Sequence, residues 1–234
     1  MGREEQIISE RLRKIKELRE QGTNPYPNKY EVKNFTNELH KKYESLKNEQ
    51  KTKDKVSLAG RLMTIRDMGK ITFCTLQDSG GKIQIVLQEK ETPEKVFEFF
   101  TKYLDTGDFV GVEGIIFRTK RGELSILVKE LELLTKSILP LPEKFHGLQD
   151  EEEKLRKRYL DILMNPEVKE VFIRKAKFWQ SMRNFLINQG FLEVETPVLE
   201  NSAGGASATP FVTDHNALDI NVYLRISMGE LWQK

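Results

Sequence analysis

At 234 residues the chain is long enough for one or two domains with a substantial apolar core. Its 38 Lys and Arg nearly balance 36 Asp and Glu, so the net charge of +2 excludes a global basic field, and affinity for nucleic acid must come from local patches. One cysteine, Cys74, excludes an internal disulfide framework and a Cys-rich zinc site, and three scattered histidines predict no metal centre.

The first residues lack an apolar signal core and no run reaches the length of a membrane span, which predicts a cytoplasmic protein without a membrane partner. Residues 3–21 predict a helix: Ile8, Leu12, Ile15 and Leu18 recur at helical spacing and Gly22 suits its C-terminal end. Its other faces mix Arg11, Arg13, Lys14, Lys16 and Arg19 with acids, the pattern of a solvated surface. NPYPN at 24–28 reads as a rigid turn, and a second helix is predicted over 36–47 with Thr36 or Asn34 as cap. The lysine-rich run from Lys47 to Lys55 reads as a linker, so a helical extension and linker over 1–54 precede the first strand.

From Val56 the period changes to that of strands. VSLAGRLMTI, KITFCTLQD and KIQIVLQ are short, β-branched and separated by DMG and DSGG turns. A helix follows, with Thr92 as N-cap, Pro93 at its first position and an apolar face of Val96, Phe97, Phe100, Tyr103 and Leu104. GDFVGVEGIIFRT and GELSILVKELELL are two further strands around the turn at 120–122. Three strands, a helix and two strands is the order of a five-stranded OB-fold barrel, placed at 55–136. SILPLPEK opens a proline-punctuated linker over 137–149. Asp150 can cap a helix through RKRYLDIL, and Asn165-Pro166 starts a longer one carrying Val168, Val171, Phe172, Trp179, Met182, Phe185 and Leu186, which ends at Gly190. FLEVETPV and LDINVYLRI read as extended, and SMGELWQK as the first turns of a helix.

A barrel is a fold and not a function, so the side chains on its strands decide the chemistry. Phe73 and Cys74 are adjacent in one strand and cannot both face the core. If Cys74 and Leu76 point inward, the Phe73 ring is a stacking platform for a base. The opposite phase is also open, because Ile71 shares the face of Phe73, and pattern alone favours Phe73 in the core. Gln84, between Ile83 and Ile85, faces away from them and offers a donor and an acceptor to a base edge. Arg61, Arg66 and Lys70 bring positive charge to the same strands. Glu123 opens the fifth strand.

NPYPN, GRLMTIRDMGKITFCTLQDSGGKIQI, RGELSI, LTKSILPLPEKFHGL and RKRYLDIL occur in order, and together they resemble the class II lysyl-tRNA synthetases over nearly the whole chain. The resemblance implies a barrel that reads a uridine-rich anticodon, with Phe73 stacking, Gln84 at a base edge, Glu123 discriminating a base and Arg66 nearby. It also implies a basic first helix in contact with the tRNA backbone. The region 150–234 would begin an antiparallel class II catalytic domain, an α+β whole behind the all-β barrel. The helix and strand over 166–199, with Pro197, resemble motif 1 and imply a homodimer interface. By the same resemblance Gly205 and Glu230 would contact the α-ammonium of lysine. Here the pattern departs from the family: Thr209 stands in place of Arg, Asp214 in place of His, and one extra residue precedes Glu230.

The complete enzyme would use ATP and magnesium, held by arginines and acids of motifs 2 and 3. Those motifs do not occur in this sequence, so no catalytic residue is assigned, neither ATP nor magnesium is expected to bind the chain well, and the chain alone is expected to lack aminoacylation. Two rivals stand beside this reading. A non-enzymatic tRNA-binding protein would reuse the barrel, and an aspartyl- or asparaginyl-tRNA synthetase would share the central uridine contact of Phe73 and Gln84.

Overall fold

The computed structural model describes residues 2–142, 150–202 and 207–227. It divides into two compact units, Met1–Arg156 and Lys157–Lys234. In the first unit α1 (Arg3–Glu20) and α2 (Thr36–Lys42) precede β1 (Lys51–Asp67), β2 (Ile71–Gln77), β3 (Lys82–Gln88), α3 (Glu94–Tyr103), β4 (Phe109–Arg118), β5 (Leu124–Thr135) and the short α4 (Glu151–Arg156). The five strands close into a barrel in the order β1-β2-β3-β5-β4.

The barrel closes because β1 is long enough to serve two partners. Its first part pairs with β4 and its last part with β2, with a register shift between Leu62 and Thr64. At the hand-over a Cβ on Gly60 would lie 2.6 Å from the Gln77 carbonyl oxygen, so only glycine fits there. The run expected as a linker is therefore partly strand: β1 already begins at Lys51, opposite Phe117 of β4. Its polarity reflects an exposed strand end rather than a flexible tether.

The interior is filled by Leu58, Leu62, Leu76, Ile83, Ile85, Val112, Ile116 and Ile126, each almost completely buried. α3 closes one end with Phe100, Tyr103 and Leu104. Thr92 does not cap that helix; Pro93 holds the cap position. The Thr92 hydroxyl instead donates to the Val128 carbonyl and accepts from the Gln88 amide, tying β3 to β5. α2 is shorter than expected, and neither Thr36 nor Asn34 caps it. Phe35 occupies the cap position, Asn34 Oδ1 accepts from Ser57 N, and Asp78 Oδ2 accepts from Thr36 N at 2.7 Å.

α1 packs on the barrel through Ile15 and Leu18, and Gly22 at φ 77° ends it as the sequence suggests. Two of its cations are not solvated. Arg11 is buried and donates to the carbonyls of Thr106, Ser137 and Leu139. Lys14 pairs with Asp105 at 2.9 Å. Lys136, fully buried, pairs with Asp105 and with buried Asp108 at 2.6 Å. Burial would raise the Asp105 carboxyl, but the Lys136 and Lys14 ammoniums outweigh it and hold it below the usual range. Burial pushes Asp108 upward, against Lys136 and two backbone amides.

Cys74 lies inside the barrel, and burial pushes its thiol up to about 12. A thiol this far above neutral carries almost no thiolate, so an aromatic disulfide reagent at pH 8 should leave Cys74 unmodified until the barrel unfolds. Modification of the folded chain at the rate of a free thiol would contradict this placement.

The second unit contains α5 (Arg158–Met164), α6 (Pro166–Asn188) and a small antiparallel sheet of β6 (Leu199–Glu200), β7 (Val212–His215) and β8 (Ile220–Leu224) in the order β6-β8-β7. Asp150 accepts from Glu153 N before α4, and Pro166 occupies the first turn of α6, as predicted, but the single helix expected from Asp150 through RKRYLDIL is broken at Lys157 into α4 and α5. No residue of α6 is buried, and Phe172, Trp179, Phe185 and Leu186 of its apolar stripe are exposed. Among the described residues no helix is long and apolar enough to cross a membrane.

Candidate nucleic-acid interface

The alternation of β2 assigns its faces. Thr72, Cys74 and Leu76 are buried, whereas Ile71, Phe73, Thr75 and Gln77 lie on the outer face and are partly exposed. Pattern alone favoured Phe73 in the core, and the structure overturns this through register. β2 pairs with β3 so that Cys74 faces Ile85 and Leu76 faces Ile83. Putting Phe73 inside would turn both isoleucines out and carry the Gln84 amide into the barrel. The phase that keeps Ile83, Ile85 and Leu87 inside leaves the Phe73 ring outside.

Pairing then arranges the outer face in rows. Arg66 of β1 lies opposite Phe73, and Phe73 opposite Val86. In the next row Thr64, Thr75, Gln84, Ser125 and Phe117 follow one another across β1, β2, β3, β5 and β4. The Thr64 hydroxyl donates to Thr75 at 2.8 Å, and the Ser125 hydroxyl lies 2.8 Å from Gln84 Oε1. The same hydroxyl is 3.2 Å from the Glu123 carbonyl oxygen, so Ser125 links the Gln84 side chain to the turn that carries Glu123. With Oε1 accepting from Ser125, the Gln84 amide N–H groups are the donors left for a further partner.

Phe73, Gln84, Arg66 and Glu123 therefore share one surface of the barrel, with Arg66 toward the β1–β2 turn and Glu123 toward the β4–β5 turn. Arg66, Lys70 and Glu123 are exposed, while Phe73 and Gln84 are half-buried. A half-buried ring is held by neighbours yet keeps a face open for stacking. Arg61 departs from the group: its guanidinium lies 4.4 Å above the Phe109 ring, and burial pulls its pKa down. Ser125 was missed by sequence reasoning, because the parallel pairing of β3 with β5 brings together residues 41 positions apart. Gly205 and Glu230 lie outside the described residues. Among the described residues no group of three or more His, Cys, Asp or Glu side chains converges to hold a metal ion.

Residues 56–134 match the family model of the OB-fold nucleic acid binding domain, and residues 150–234 match that of the class II tRNA synthetases (D, K and N). The chain is 47% identical over 225 residues to the lysine–tRNA ligase of Moorella thermoacetica, covering 96% of this chain and 45% of that protein. It is 46% identical over 228 residues to the enzyme of that name from Gloeobacter violaceus, covering 96% of this chain and 46% of that protein. The Nitrosomonas europaea lysine–tRNA ligase is 46% identical over 233 residues, or 99% of this chain and 46% of that protein. A nucleic-acid-binding barrel followed by class II sequence places the chain among the class II aminoacyl-tRNA synthetases. Within that class it belongs to the lysyl-tRNA synthetase family, and it spans about half the length of the curated relatives it matches.

Proposed function

We propose that the chain is the anticodon-reading part of a cytoplasmic lysine–tRNA ligase, an ATP-dependent enzyme that activates lysine and transfers it to its tRNA. In this reading Phe73 stacks on an anticodon base, Gln84 bonds a base edge, Glu123 discriminates a neighbouring base and Arg66 approaches the phosphates. The observation that carries it is the outward Phe73 ring in one surface with the Gln84 amide and Arg66. The names of the matched relatives support lysine as the amino acid. Gly205 and Glu230 are assigned to the lysine pocket, and ATP with magnesium to groups outside the matched half. The exposed apolar stripe on α6, with Phe172, Trp179, Phe185 and Leu186, supports a homodimer formed through 166–199, since contiguous exposed apolar surface ordinarily marks an interaction site.

The test is filter binding of the chain to transcripts of lysine, aspartate and asparagine tRNAs. The expected order puts the lysine tRNA first, with affinity falling steeply as salt rises. Equal binding to all three, or to an RNA hairpin without the anticodon, would reject the anticodon assignment.

A further inference from the structure

The turn that carries Glu123 is fastened to a helix outside the barrel. Arg118, the last residue of β4, donates from Nη1 to the Gly122 carbonyl at 2.7 Å. Its Nη2 donates to the carbonyls of Tyr43 at 2.9 Å and Glu44 at 3.3 Å, just past the last turn of α2. One guanidinium thus bridges the β4–β5 turn and the carbonyl end of α2, where a cation is favoured. Neighbouring bonds fasten the same tip. Glu49 N donates to the Arg118 carbonyl, and the Asn48 side-chain amide reaches the Lys120 carbonyl. Glu123 N donates to the Thr119 hydroxyl.

The other end of α2 is fixed to the β2–β3 turn. Asp78 accepts from Thr36 N through Oδ2 and from the amides of Gly80 and Gly81 through Oδ1. His40 lies 2.9 Å from the Lys82 carbonyl, two residues before Gln84. α2 therefore joins the turn before Gln84 to the turn before Glu123, at the same end of the barrel.

We infer that Arg118 is a positioning residue for base discrimination: through α2 it sets the height of Glu123 relative to Gln84, although it does not itself meet the RNA. This rests on the anticodon reading given above. α2 is then a strut of the recognition site rather than part of an inert extension. A base that donates one hydrogen bond to a carboxylate is told from a rival that cannot only if the carboxylate is held within a fraction of an ångström.

The experiment uses the full chain and two RNA hairpins carrying a uridine-rich anticodon loop and differing in the single base that Glu123 reads. Binding is measured well below the melting temperature. Arg118→Lys, which can reach only one side of the bridge, should lower the ratio of affinities for the two hairpins by roughly tenfold, the worth of one charge-assisted hydrogen bond. Affinity for the preferred hairpin should fall less, because the Phe73 stack is untouched. In a chain already carrying Glu123→Ala, Arg118→Lys should have no further effect on the ratio. An unchanged ratio in Arg118→Lys, with Glu123→Ala abolishing discrimination, would overturn the positioning role while leaving the anticodon reading intact. If Glu123→Ala leaves the ratio unchanged, the anticodon role of Glu123 fails independently of Arg118.

Discussion

Replacing Lys136 by methionine is expected to destabilise the first unit by about 3–5 kcal/mol, the range for stranding one member of a buried ion pair. Methionine keeps most of the side-chain volume, so the loss reports charge rather than a cavity. Lys136 is fully buried, and its ammonium meets Asp105 and Asp108. Without it Asp108, also fully buried, keeps among the described residues the amides of Asp105 and Ser137 as partners for a charge that has left water. For a unit of this size the melting temperature should drop by roughly 6–20 °C. The sign of the pH dependence identifies the cause. A carboxylate whose folded-state pKa is raised is less costly once protonated, so the deficit of Lys136→Met relative to the parent should shrink as pH falls toward the carboxylate range. Asp105 works in the opposite sense in the parent. Its pKa is held low, so its contribution is present above the usual carboxylate range and is lost as pH falls through it. The double variant Lys136→Met, Asp108→Asn should recover part of the loss, because no charge is left at position 108, its amide oxygen still accepts from one of the two backbone N–H groups, and Asp105 keeps its pair with Lys14. A melting point within two or so degrees of the parent, or a deficit equal at every pH, would show that the pair carries no net burden.

Replacing Phe73 by alanine is expected to weaken binding of a uridine-rich anticodon hairpin by about 1–3 kcal/mol, the usual worth of one aromatic–base stack. In affinity this is roughly 5- to 150-fold. The ring is half-exposed on the outer face, and the core behind it is Cys74, Leu76, Ile83 and Ile85. Its removal should therefore shift the melting temperature far less than Lys136→Met does. Phe73→Tyr should restore most of the affinity, since the π-face is kept and the hydroxyl reaches solvent. Retained affinity in Phe73→Ala together with a large fall in melting temperature would mean that the ring is structural. The two predictions are complementary: Lys136 moves stability with little direct effect on the outer face that carries Phe73, and Phe73 does the reverse.

The order of the barrel was legible because each strand is short, β-branched and bounded by a turn, and the helix between β3 and β4 breaks the period from two to 3.6. The limits of β1 were not. Lys51, Lys53 and Lys55 look like a tether because an exposed strand end needs no apolar side chains when its backbone is already paired. Thr92 and Asn34 were read as caps because both residue types prefer that role locally. Each is instead taken by a more distant partner, Val128 for the hydroxyl of Thr92 and Ser57 for the amide oxygen of Asn34. Arg11 and Lys14 were read as solvated because helix position alone does not reveal what lies across the interface.

The candidate site divides in the same way. The residue types were readable as chemistry: an aromatic ring, an amide, a carboxylate and an arginine, on strands resembling a tRNA-reading barrel. Which way Phe73 faces could not be fixed by β2 itself: its alternation allows two phases and favours the ring in the core, and only the register with β3 turns it out. Sequence by itself determined the strand order, the turns, the proline-started helix and the family. Only the tertiary structure decided the outward ring, the Ser125 link between Gln84 and Glu123, the strut from Asp78 to Arg118 and the buried pairing of Lys136. The reason is physical. Local pattern fixes what a segment prefers, but strand register and the burial of charge depend on partners far away in the chain, and in a closed barrel one register choice fixes the facing of every residue around the ring.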